Sequence, residues 1–169
     1  LNYVSAHFNC QRMVAEYRSE LYEPGHKAFE AMARDEFSAA KSYATWSKQL
    51  VERWPNVEFL EAGIGAGASV LAGTSVPLRA RLNLAGLTPD DVRVEAVVGR
   101  IGPHGDLDET QVIALSPMEQ QGSIVLFGKD FAPLTTGRLG FAARISPNHF
   151  QDPLNRPCNS PMKWITGGN

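Results

Sequence analysis

The sequence predicts an α+β chain: an N-terminal helical segment followed by an antiparallel β-sandwich. Two observations carry this. Apolar residues recur every three to four positions as far as Trp54, then alternate every second position from Val76 onward. Composition changes at the same place: 14 of the 15 glycines lie after Ala62, and 9 of the 11 prolines lie beyond residue 56. No later run has helical period, so no strand–helix–strand crossover and no parallel sheet is expected.

The chain has 169 residues, 43% of them hydrophobic and 20% charged, which is a globular composition. A net charge of -2 gives no basic field for nucleic acid or an anionic membrane surface. No apolar run reaches the ~18 residues of a membrane span. The start, Leu1-Asn2-Tyr3-Val4-Ser5, is not a signal peptide and lacks an initiator Met, so the chain is expected to begin inside a longer one. Cys10 and Cys158 are read as free thiols of a cytoplasmic protein, with a disulfide between them as the alternative. His7, His26, His104 and His149 are scattered singly, without metal-ligand spacing.

Cys10 to Tyr22 has helical pattern, with Asn9 as its cap and Phe8 as the apolar residue before the cap. Met13, Tyr17 and Leu21 fall four apart on one face, with Val14 adjoining; Arg12 and Glu16 form an i,i+4 pair on another. This face is too short to be stable alone and must dock on something. Pro24-Gly25 is expected to end the helix, and Pro24 also suits the first turn of the next. Lys27 to Arg53 is expected to be one helix, ~40 Å long at ~1.5 Å per residue. Phe29, Met32 or Ala33, Phe37, Ala40, Ala44, Ser47 and Val51 trace one stripe. Trp46, Leu50 and Trp54 trace a second, so the helix should touch two surfaces. Pro55-Asn56 stops it.

The boundary falls near residue 57. Residues 1–56 are expected to be helical, 57–74 a linker with a first short strand at Val57 to Glu61, 75–150 the sandwich, and 151–169 an extended tail. Gly63-Ile64-Gly65-Ala66-Gly67-Ala68 superficially resembles a nucleotide loop, but no helix follows it, so a loop or linker is expected. Val76 to Leu84 alternates, with Arg79, Arg81 and Asn83 outside. After a turn at residues 86–91, Val92, Val94, Ala96 and Val98 resume the alternation, with Arg93 and Glu95 outside. Gly99 to Asp108 reads as a polar loop, Gln111 to Leu115 as a strand, and Ser116 to Gln121 as a turn around Pro117. Strands follow at Ser123 to Phe127 and at Leu139 to Ile145, separated by a turn at Pro133 to Gly137. Short strands between Gly/Pro/Asp turns suit an immunoglobulin-like sandwich. Met162, Lys163 and Trp164 would anchor the tail, with Trp164 laid over the domain edge.

No catalytic constellation emerges. Arg79, Arg81, Arg93, Glu95 and Arg144 face outward and suit a ligand surface or, better, a solvated face with cross-strand ion pairs. Asp90, Asp91, Asp106, Asp108 and Glu109 are loop carboxylates without calcium-loop spacing. Ser5 and His7 do not form a triad fragment. Trp46 and Trp54 read as core residues, while Trp164 or Tyr43, if exposed, would be available to stack on a sugar ring. No catalytic, cofactor-binding or metal-binding residue is assigned.

Phe8-Asn9-Cys10-Gln11-Arg12-Met13-Val14-Ala15-Glu16-Tyr17, then Leu21-Tyr22, resembles the end of the catalytic core in the α-glucan (glycogen/starch/maltodextrin) phosphorylases. Trp46, Leu50, Val51 and Trp54 look like the long helix of the shorter bacterial branch. Leu87-Thr88-Pro89-Asp90-Asp91-Val92-Arg93-Val94-Glu95, then Val97-Val98-Gly99, is similar to that branch's extra β domain. Gly140 to His149 looks like its last strand. The resemblance implies the C-terminal part of a glycosyltransferase that cleaves α-1,4-glucans with phosphate to glucose 1-phosphate, using pyridoxal phosphate. It places the cofactor lysine and active site upstream; Lys27, Lys41, Lys48, Lys129 and Lys163 lack matching surroundings. The expected partners are the catalytic lobes of the parent enzyme, gripped by the helices. An α-glucan or a second copy of the chain is the alternative, for a free-standing glycan-binding or oligomerisation module.

Overall fold

The computed structural model describes residues 10–65, 73–102, 106–133, 138–149 and 161–166. The described residues form two compact units, one within 10–47 and one from 48 onward. The expectations at Ser5, His7, Phe8, Asn9, Ala66 to Ala68, His104, the 134–137 turn and Cys158 lie outside them.

In the first unit, helix α1 (Cys10–Tyr17) passes through a π turn (Arg18–Tyr22) into helix α2 (Glu23–Arg53). Pro24-Gly25 therefore does not end the helix, contrary to expectation. The wide turn falls just before Pro24, whose ring would clash with the carbonyl four residues back in a regular helix. There the Glu23 N–H donates to the Arg18 carbonyl, five residues back. Ser19 reinforces the irregularity, its hydroxyl donating to the Ala15 and Glu16 carbonyls at 3.1 and 3.2 Å. The Arg12–Glu16 pair forms at 3.1 Å.

The expected single helix from Lys27 to Arg53 is also interrupted. Arg34 is extended (ψ 155), and Asp35, Glu36 and Phe37 are left-handed, with φ of 49, 54 and 62. Asp tolerates that region; Glu and Phe are disfavoured there by about 1–2 kcal/mol each. Nothing in the structure explains their backbone.

In the second unit the last turn of α2 ends in a 3-10 turn (Trp54–Asn56), with Pro55 fixing the exit as expected. Among the described residues seven strands follow: β1 (Glu58–Ile64), β2 (Val76–Asn83), β3 (Val92–Ile101), β4 (Leu107–Gln121), β5 (Ile124–Phe131), β6 (Leu139–Pro147) and β7 (Lys163–Thr166). They pair in the order β1-β2-β5-β4-β3-β6-β7, every pairing antiparallel. Strand β1 also lies against β6 and β7, so the sheet curls into a near-barrel.

The alternation read from sequence matches the core. Val76, Leu78, Ala80, Leu82, Leu84, Val92, Val94, Ala96 and Val98 are buried, with Val125, Phe127, Phe141, Ala143 and Ile145. Leu50, Trp54 and Val57 are buried in the same unit. So the stripe of Leu50 and Trp54 packs, whereas Phe29, Phe37 and Val51 of the other stripe are exposed.

Four strand expectations are corrected. Strand β4 runs unbroken through the turn expected at Ser116 to Gln121. Its first part pairs with β3 as far as Val94↔Leu115, and its second part pairs with β5 from Ser116↔Gly128. Pro117 sits where the strand changes partner, and the register shifts between Pro117 and Glu119. A proline without an N–H is tolerated at such an irregular place. The loop expected from Gly99 to Asp108 is shorter, because β3 continues to Ile101 and β4 starts at Leu107. Finally, the tail carries a strand: β7 extends the sheet through Ile145↔Lys163 and Arg144↔Trp164. Gly63 and Ile64 belong to β1 rather than to a loop.

Candidate functional site

The outward-facing charged residues do not converge on one site. Arg79 pairs with Asp130 at 3.4 Å, and Arg81 reaches Glu61 at 3.9 Å, both across neighbouring strands at the surface. These are the cross-strand ion pairs expected from sequence, each worth ~1 kcal/mol or less.

Glu95 and Arg144 differ. They face each other in the β3–β6 register, and the Arg144 Nε donates to the Glu95 Oε2 at 2.7 Å. Their side chains are only 16% and 28% exposed, so water screens them less. Arg144 in turn faces Trp164 on β7, with its guanidinium carbon 5.4 Å from the ring centroid. Glu95, Arg144 and Trp164 thus form one row across three strands. Both charges are satisfied within the row, and Trp164 keeps half of its surface in solvent.

The loop carboxylates near residue 90 serve the fold. Thr88 donates through its N–H and its hydroxyl to the Asp91 Oδ2, each at 2.7 Å, starting the 3-10 turn Pro89–Asp91. Asn148, which the sequence reading did not single out, clamps this turn to the end of β6. Its backbone N–H donates to the Asp91 carbonyl at 2.8 Å, its side chain donates to the Asp90 carbonyl at 3.3 Å, and it accepts from Arg93 at 3.2 Å. Asp106 and Asp108 both approach Gly102. Among the described residues, no group of three His, Cys, Asp or Glu is placed to hold a metal ion. Cys10 is exposed and free.

A pyridoxal phosphate lysine needs an enclosed amine beside a phosphate cradle. Lys27, Lys41, Lys48 and Lys129 are exposed. Lys163 is engaged: its ammonium donates to the Pro55 and Val57 carbonyls at 2.9 and 2.6 Å. Lys163 was expected to help anchor the tail, but sequence pattern had no way to reveal its partners, which are backbone carbonyls more than a hundred residues away.

The helical unit carries a different kind of surface. Met13, Val14, Tyr17, Leu21, Tyr22, Phe29 and Phe37 are 45–66% exposed. Tyr43 and Trp46 touch each other, with ring centroids 5.4 Å apart. No helix among the described residues is long and apolar enough to cross a membrane.

The family model of the glycogen phosphorylase C-terminal domain matches residues 54–154, which include all of β1 to β6. The chain belongs to that family. Alignment with longer relatives covers more of the chain. The glycogen phosphorylases of Mycobacterium bovis (strain ATCC BAA-935 / AF2122/97) and Mycobacterium tuberculosis (strain ATCC 25618 / H37Rv) are each 30% identical over 141 residues, covering 82% of this chain. The maltodextrin phosphorylase of Thermococcus litoralis is 25% identical over 150 residues, covering 86%. The aligned regions are 16% of each mycobacterial protein and 17% of the Thermococcus one, so the chain spans under a fifth of the curated relatives it matches.

Proposed function

We propose that the chain is the C-terminal accessory region of an α-glucan phosphorylase, and that its helices dock on the catalytic part of the same polypeptide. The parent enzyme would convert α-1,4-glucan and inorganic phosphate to glucose 1-phosphate in the cytoplasm. Its pyridoxal phosphate would sit in that catalytic part. The observation that carries the reading is the exposed apolar surface of the helical unit, Met13 and Tyr17 through Phe29, in a chain whose relatives are about six times longer than the matched region. Rings this exposed on a helical face are unfavourable in water and mark an interaction surface. The occupant with the right length and covalent proximity is the preceding polypeptide.

The β unit supports the expected immunoglobulin-like sandwich. The order β1-β2-β5-β4 on one side and β4-β3-β6-β7 on the other corresponds to the A-B-E-D and C-F-G arrangement of that fold, with β4 shared between the two sheets. A second reading, glycan binding by this unit, is favoured by the half-exposed Trp164 on its outer face.

The test is phosphorolysis of maltodextrin by this chain and by the full-length polypeptide with added pyridoxal phosphate, together with the melting of Tyr17→Ala in both. Activity only in the long form, with Tyr17→Ala lowering its stability by ~2–5 kcal/mol and leaving the short chain nearly unchanged, is the expected result. Unchanged melting of the long form rules out docking through this face. Inactivity of both makes a free-standing glycan-binding or oligomerisation module the better account.

A further inference from the structure

We infer that residues 34–37 are a switch within this docking surface: left-handed in the present structure, and helical when the catalytic part of the polypeptide covers the stripe. The inference rests on the docking reading. It is carried by a conflict between residue type and backbone. Asp35, Glu36 and Phe37 hold φ of 49, 54 and 62 in succession. In L-residues this conformation brings Cβ close to the following carbonyl oxygen, and a permanent left-handed turn is normally built with glycine or asparagine. Here the sequence supplies Glu and Phe instead.

The apolar spacing points the same way. Phe29, Ala33, Phe37, Ala40 and Ala44 keep three- to four-residue steps straight across the interruption. That spacing aligns them only if residues 34–37 are helical. With the segment left-handed the alignment is lost, and Phe29 and Phe37 stand 63% and 51% exposed. A continuous helix would present Phe29 and Phe37 together, with alanines between them that let an apolar surface approach closely.

The two backbones rank alanine and glycine oppositely. Alanine is favoured in a helix, glycine in the left-handed region. In the full-length polypeptide, the pair Asp35→Ala/Glu36→Ala should therefore melt several degrees above the pair Asp35→Gly/Glu36→Gly. Equal melting or the reverse order overturns the inference. Hydroxyl-radical footprinting of Tyr17 and Phe29 in the same polypeptide separates it from the docking reading. If both rings are protected but the alanine pair is not the more stable, docking stands and the switch falls. If they are as reactive as in the 169-residue chain, docking falls and the switch with it.

Discussion

The Lys163 ammonium donates to the Val57 carbonyl at 2.6 Å, joining β7 to the residue just before β1 across 106 positions of sequence. The same amine takes the Pro55 carbonyl at 2.9 Å. Strands β1 and β7 end the pairing order, and this contact ties those ends where the sheet curls round. Charge-assisted hydrogen bonds of this kind contribute about 1.5–3 kcal/mol. Lys163→Met keeps the stem and removes the charge, so it should destabilise the β unit by about 1–2 kcal/mol. Denaturant melts measure this; a midpoint equal to the parent's would show that the seam is held by β6–β7 pairing alone.

Trp54 and Val51 distinguish the two stripes of the long helix. Trp54 is 6% exposed and Val51 72%. Trp54→Ala should cost about 3–5 kcal/mol, and Val51→Ala less than about 0.5. Equal losses would mean that Val51 is covered in solution.

That contrast also shows what sequence reveals and what it does not. Val76 through Val98 gave their inner and outer faces correctly, because alternation is local and a one-residue slip would expose every apolar side chain. Both helical stripes were equally visible, yet periodicity does not say which stripe has a partner within the chain. Pro117 read as a turn because proline usually ends strands; its tolerance depends on where β4 changes sheets, which is a tertiary fact. The strand Lys163–Thr166 was missed because four residues show almost no period. Trp164 at the domain edge was foreseen; its row with Arg144 and Glu95 depends on registers fixed by pairs some twenty and fifty positions apart.

Gly99 marks a close approach of β3 to the start of β4. A Cβ there would lie 2.7 Å from the Asp108 carbonyl oxygen, a backbone atom that cannot swing aside. Gly99→Ala should destabilise by about 1–3 kcal/mol. Gly63, in β1, has nothing within 4 Å of the same position, so Gly63→Ala should be neutral or slightly stabilising. Thermal melts of the two variants make the comparison, and a harmless Gly99→Ala would mean that β4 can shift away there.

Glu95 and Arg144 should behave as one unit. Glu95→Ala leaves a partly shielded guanidinium without its carboxylate, at a cost of about 1–3 kcal/mol. Removing both should cost less than the sum of the single changes, with a coupling of about 0.5–3 kcal/mol. Because the pair is more shielded than Arg81–Glu61, that coupling should persist at high salt, where an exposed pair fades. The Trp164 indole provides a second readout, since its ring lies against the Arg144 guanidinium. Glu95→Ala loosens that guanidinium, so Trp164 emission should change even where melting barely does. Additive single-variant costs together with an unaltered Trp164 spectrum would mean that the three side chains merely share a face, and that β7 is held there by its backbone and by Lys163.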